Sequence, residues 1–292
     1  MDLTAWDLAS VLVKAITYAA TLCAAGGTAF RVQHSSALST TQNARLRCWL
    51  GACVSAAVVA STLRIGVLSG SMGGDLASLF DGGLARMVLE AGEGRAIAVR
   101  ALGLLAIAVS LVTRRRSGIL ALVGATAAAT SFAWVGHAWA AVPGPASVVV
   151  LSVHIACVAF WLGALVPLWM QTGDEDLHRI AAITRSFGVS AIYVVAVLLL
   201  AGVLLLAVLL SAPSELWTSA YGQLVTIKMV AVAGFLSVAA FNKLRLTPRL
   251  VAEDRRAVVA LRRSIRGEIA IALVILVLTA SFTTVVGPVS LE

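Results

Sequence analysis

Six ionisable side chains stand inside long apolar stretches of the chain: Lys14, Arg64, Arg100, His137, His154 and Lys228. A charge in the middle of a membrane helix costs about 2.5–3.5 kcal/mol on insertion scales, so such residues mark ligand sites or pathways by default. His154, Cys157 and Trp161 are spaced i, i+3, i+7 and share a helix face, as do Thr130, Trp134 and His137 on the preceding apolar run. Imidazole nitrogen beside a soft sulfur suits copper, Cu(I) above all and Cu(II) as well, better than a hard cation. His137 and His154 are therefore the leading metal ligands, with Cys157, Met72 and Met87 as lesser candidates. Cys23, Cys48 and Cys53 read first as packing, with an exit relay for a soft ion as the other reading. The four cations would repel free Cu⁺ unless carboxylates pair with them, and Glu90 and Glu93 are the nearest. They would equally suit an anion, which keeps open a b-type haem with the two histidines as axial ligands and Arg or Lys on the propionates.

The elements that must position these groups follow from composition. The chain has 292 residues, 60% apolar and 12% charged, with a mean hydropathy of +0.97, which excludes a soluble globular protein. Eight apolar runs, near 6–30, 48–71, 95–113, 118–141, 147–170, 187–211, 219–242 and 267–288, are each long enough to cross a bilayer as a helix. The expected fold is an all-α, polytopic membrane helical bundle of eight transmembrane helices forming one domain. Alternate connections hold sixteen basic residues on one side, among them Arg114 to Arg116 and Arg255, Arg256, Arg262, Arg263 and Arg266. Only Arg86 and Arg95 lie on the other. By the positive-inside rule both termini lie outside the cytoplasm, which is the periplasm in a bacterium. The net charge of +8 is then an orientation signal, with lipid as the partner and no nucleic acid. All six intramembrane ionisable groups fall within about 6–13 Å of the outer end of their spans at 1.5 Å per residue, which predicts one shared polar chamber. Asp75, Asp81, Glu90 and Glu93 are expected to form an acidic lip that concentrates cations. The acidic start, with Asp2 and Asp7, lacks the basic region of a cleaved signal, so the first helix reads as retained. No nucleophile, base and orienting acid share a face, and no GxxxxGK[ST] motif occurs, so neither a hydrolase nor a primary pump is expected.

Three stretches carry a family resemblance. Gly136-His137, the segment from His154 through Trp161 and Gly163, and Tyr221-Gly222 followed by Lys228 and Asn242 to Pro248 resemble the CopD (PcoD) family of bacterial copper-resistance inner-membrane proteins. Arg100 shortly after Gly94 fits the same pattern. The resemblance covers positions 90 to 250. It implies an eight-helix protein of the cytoplasmic membrane that binds copper at the periplasmic face and moves it inward, in some cases with a periplasmic CopC-like partner. Under it, His137, His154, Trp161, Gly163, Tyr221, Lys228 and Asn242 are the matching positions. A haem protein and a cofactor-free assembly factor remain the two other readings of the residues.

Overall fold

The computed structural model describes residues 4–113, 118–135, 145–210 and 212–285. Nine helices of nine residues or more carry the described architecture: α1 (Ala5–Gln33), α2 (Thr40–Gly73), α3 (Gly82–Glu90), α4 (Gly92–Val112), α5 (Gly118–Thr130), α6 (Pro145–Gln171), α7 (Leu177–Leu209), α8 (Ala220–Phe241) and α9 (Arg255–Val285). No strand occurs among the described residues. Seven of the helices are long and apolar enough to span a bilayer, and the segment Gly118–Trp134 is a shorter apolar one. The chain is a multi-pass membrane protein built as a helical bundle.

Local chemistry starts the helices where the hydropathy pattern alone is blurred. Thr4 accepts from the Asp7 amide while the Asp7 carboxylate accepts from the Thr4 amide, and Ser39 and Gln42 do the same for α2. These reciprocal pairs satisfy amides that lack an intrahelical acceptor. They also explain why α2 begins eight residues before the apolar run at 48. The fourth apolar run departs most from expectation. Its α-helix stops at Thr130, tightens into a 3-10 turn at Ser131–Trp134, and is extended at Val135. Ser131 Oγ donates to the Ala128 carbonyl and accepts from Arg100 Nε, drawing the backbone inward. Thr130 and Trp134 therefore do not share the α-helical face that spacing predicts.

α1 is the hub. It packs against α2, α5, α6 and α9, while α4 pairs with α5, α6 with α7 and α8 with α9. Small residues set its approach to α6, where Gly26 lies against the Ala159 backbone and Gly163. In lipid, helices gain little from burying more apolar surface and associate through such close packing. The buried core runs through both halves of the chain, from Leu22, Phe30 and Leu50 to Trp161, Phe187, Leu250 and Leu276. α7 and α8 turn apolar side chains such as Leu200, Val203 and Val230 outward, as lipid-facing helices must.

The connection before α9 makes a pH prediction. The Arg249 guanidinium donates twice to Asp254 Oδ2, at 3.0 and 2.7 Å, and the Arg256 amide donates to Oδ1. Arg249 first, and then that amide, hold the Asp254 carboxyl below its ordinary value. Because the folded value lies below that of an unfolded Asp, about 3.9, the contact contributes fully above that pH and is lost as pH falls through the lower folded value. Amide exchange at Arg255 and Arg256 should accelerate only below about pH 4, and Asp254→Asn should remove that acid-side change.

Candidate functional site

Polar groups gather at the end of the bundle that carries the N-terminus because helical spacing aims them at one another. α1 presents Lys14 and Tyr18 at i, i+4, α2 presents Ser61 and Arg64 at i, i+3, and α4 presents Glu93 and Arg100 at i, i+7. Arg64 and Glu93 form a two-pronged ion pair, Nε to Oε1 at 2.6 Å and a second guanidinium nitrogen to Oε2 at 3.2 Å, each side chain 11% exposed. Arg100 is 2% exposed. It donates to Ser131 Oγ and Ser61 Oγ, both at 3.2 Å, and its Cζ lies 4.2 Å from the centroid of Phe132. The edge of Phe132 meets Tyr18, with ring centroids 4.7 Å apart. Lys14 Nζ donates to the Thr283 carbonyl at 2.8 Å and to Thr284 Oγ1 at 3.3 Å, tying α1 to α9. The cluster thus holds three cations against one carboxylate, with dipoles and an aromatic face carrying the rest of the compensation.

His154 and Lys228 form a second cluster. The His154 ring lies against Gly202 of α7, and its Nδ1 is buried without a hydrogen-bond partner. Lys228 is close enough for its charge to act on His154, and its Nζ lies 5.1 Å from the Phe282 centroid. Cys157 is half-buried one turn along α6, and Trp161, 5% exposed, tilts onto Phe235 at 4.7 Å. Gly163 meets Gly26 and the Leu22 carbonyl. His137 and the side chain of Tyr221 lie outside the described residues. Met72 and Met87 are both exposed, and no group of three His, Cys, Asp or Glu occurs among the described residues.

Among the described residues Lys14, Arg64 and Arg100 gather around Glu93 and His154 lies with Lys228, and both groups reach the same turn of α9, Lys14 at Thr283 and Thr284 and Lys228 at Phe282. One expectation is corrected. The acidic lip is smaller than predicted, because Glu93 is buried on Arg64. Its exposed members also have structural work: Asp75 accepts from the Ser78 amide and hydroxyl, Asp81 caps α3, and Glu90 pairs with Arg86.

The arginine-rich end holds two residues that the sequence does not single out, Glu268 and His34. Asn242, 8% exposed, donates to Glu268, 4% exposed, at 3.2 Å, and its own Oδ1 has no partner. The contact depends on a π-helical turn at Asn242–Leu246, in which the Thr247 amide and hydroxyl both bond to the Asn242 carbonyl. Pro248 follows, and its missing N–H and ring account for the extra residue in the turn. His34 is 3% exposed, with Nδ1 3.1 Å from the Phe30 carbonyl and a buried, unpartnered Nε2. A carboxylate two residues after Arg266 and a histidine past the end of an apolar run both resemble loop residues in sequence. The only signal was that Glu268 falls inside the last apolar run.

A family model described as copper resistance protein D matches residues 181–282. A second, described as copper resistance protein D-like, N-terminal domain, matches residues 4–148. The chain belongs to the CopD family. The two matched segments together contain the N-terminal cluster, Lys228, and the Asn242–Glu268 contact, while His154, Cys157, Trp161 and Gly163 lie between them. No curated protein and no solved structure matches the chain. This CopD-family chain is accordingly a copper-related membrane protein.

Proposed function

We propose that this protein moves copper across the bacterial cytoplasmic membrane, taking it up from the periplasm at the end that carries the N-terminus. The observation that carries the reading is His154: a half-buried imidazole with a ring nitrogen on the Leu198 backbone and a buried Nδ1 without a hydrogen-bond partner, which as a neutral ring keeps one nitrogen lone pair for a soft or borderline metal. His137 is the proposed second ligand, with Cys157 within one helical turn. Met72 and Met87, exposed near the same end, would hand copper inward from a periplasmic CopC-like protein. The arginine-rich end faces the cytoplasm by the positive-inside rule. Trp161, two turns along α6 from His154 and tilted onto Phe235, is the residue that would close the inner side of the path in this reading. Nothing in this reading calls for enzymatic chemistry; copper is cargo.

The test is copper and iron content of purified protein, wild type against a His137→Ala/His154→Ala double variant. Copper near one per chain, lost in the folded variant, is the expected result. Iron in its place, with a Soret band, would overturn the reading in favour of haem, whose propionates the surplus cations around Glu93 would suit. Copper tolerance of cells unchanged by the double variant would point to an assembly factor.

A further inference from the structure

The seam between α1 and α2 is antiparallel, and two contacts fix its register. The Trp6 ring covers Gly70 near one end, and Gly27 meets the Trp49 ring and the Leu50 side chain further along. Between those contacts each step forward on α1 is matched by a step back on α2. Cys23 lies one helical turn from Gly27 on the same stripe, and Cys53 lies one turn from Trp49 on the facing stripe. The register therefore sets the two thiols across from each other. They are free, half-buried and close enough for a charge on Cys23 to act on Cys53. Leu22, Ala24 and Leu50, all buried, flank them in an apolar setting. Arg64 of α2 and Lys14 of α1, which turns to α9, lie toward the N-terminal end, Lys14 nine residues from Cys23, or about 14 Å along the axis.

We propose that Cys23 and Cys53 form a two-coordinate thiolate site for Cu(I), an assignment that rests on the reading of the protein as a copper carrier. Paired thiolates select soft ions. Structural zinc takes four ligands, and no cluster of three His, Cys, Asp or Glu surrounds this pair among the described residues. On binding, two S–H bonds release their protons to water, two Cu–S bonds form, copper stays at +1, and the complex carries one negative charge. That charge gives the surplus cations a role. Lys14, Arg64 and Arg100 repel a bare Cu⁺ but favour an anionic dithiolate complex, so ligand and counter-charge belong to one path.

The experiment titrates Cu(I) into the reduced full-length protein in detergent, without oxygen, against the chromogenic chelator bicinchoninate. Wild type should bind one more Cu(I) per chain than Cys23→Ser/Cys53→Ser, releasing two more protons in weak buffer, while Cys48→Ser matches wild type. Cu(I) should also protect Cys23 and Cys53 of the wild type together from N-ethylmaleimide, a readout that does not depend on how well the variant folds. Equal copper and proton counts in wild type and double variant, or alkylation of both cysteines undiminished by Cu(I), would overturn the site. If wild type still binds copper through His137 and His154, only this inference falls; if it binds none, the transport reading falls with it.

Discussion

Glu93→Gln should destabilise the folded protein by about 3–5 kcal/mol, the range for breaking a buried ion pair by removing one partner. The substitution keeps shape and an acceptor oxygen but deletes the one negative charge among Lys14, Arg64 and Arg100. Arg64 would then be left 11% exposed with two like charges nearby and only a neutral amide in front of it. Arg64→Met combined with Glu93→Gln should recover most of the loss, because an uncharged pair owes no desolvation. Thermal unfolding in detergent, followed by helical circular dichroism, measures both variants. A Glu93→Gln loss under about 1 kcal/mol would match an exposed pair and contradict the buried geometry.

Gly163→Ala is expected to be comparably damaging for a steric reason. A Cβ there would sit 2.6 Å from Gly26 Cα and 2.7 Å from the Leu22 carbonyl oxygen, and one on Gly26 would run into the Ala159 carbonyl. The obstacles are backbone on a facing helix, so no rotamer change relieves them and α1 must move off α6. Overpacking costs about 1–3 kcal/mol where side chains can adjust, and this site should reach or pass the top of that range. Gly51→Ala is the control. Nothing lies within 4 Å of its Cβ position, and a mid-helix alanine should add about 0.5–1 kcal/mol. The fraction of protein eluting as a single species by gel filtration, with its unfolding temperature, separates the two outcomes.

These cases show which parts of the structure could be read from sequence. Helix type was legible because a bilayer imposes a length on apolar runs, whereas seven of the eight expected spans are long and apolar enough to cross it among the described residues. Glu93 was recognisable as the nearest counter-charge, yet its burial was not, since that depends on Arg64 turning toward α4. Apolarity on nearly every face removes the periodic signal that fixes helix rotation, which is why the partners of the intramembrane cations could not be named from spacing. The break after Thr130 was hidden for a related reason: it follows from Ser131 bonding to Arg100, and no local proline or glycine announces it. Cys23 and Cys53 became interpretable only once Gly27 and Trp49 had fixed the register of α1 on α2.

The hydrogen bond from Lys14 to Thr283 joins residues 269 apart in sequence. A ribosome makes the first of these long before the second, and α1, the hub of the bundle, enters the membrane before α9 does. Its ammonium must wait at the lipid boundary, or snorkel toward water, until α9 arrives with a carbonyl and a hydroxyl to receive it. Any chain halted before Thr283 keeps a cation in α1 with no acceptor from α9. Synthesis of α9 is in this way written into the stability of α1, and the two helices are bound to mature as one unit.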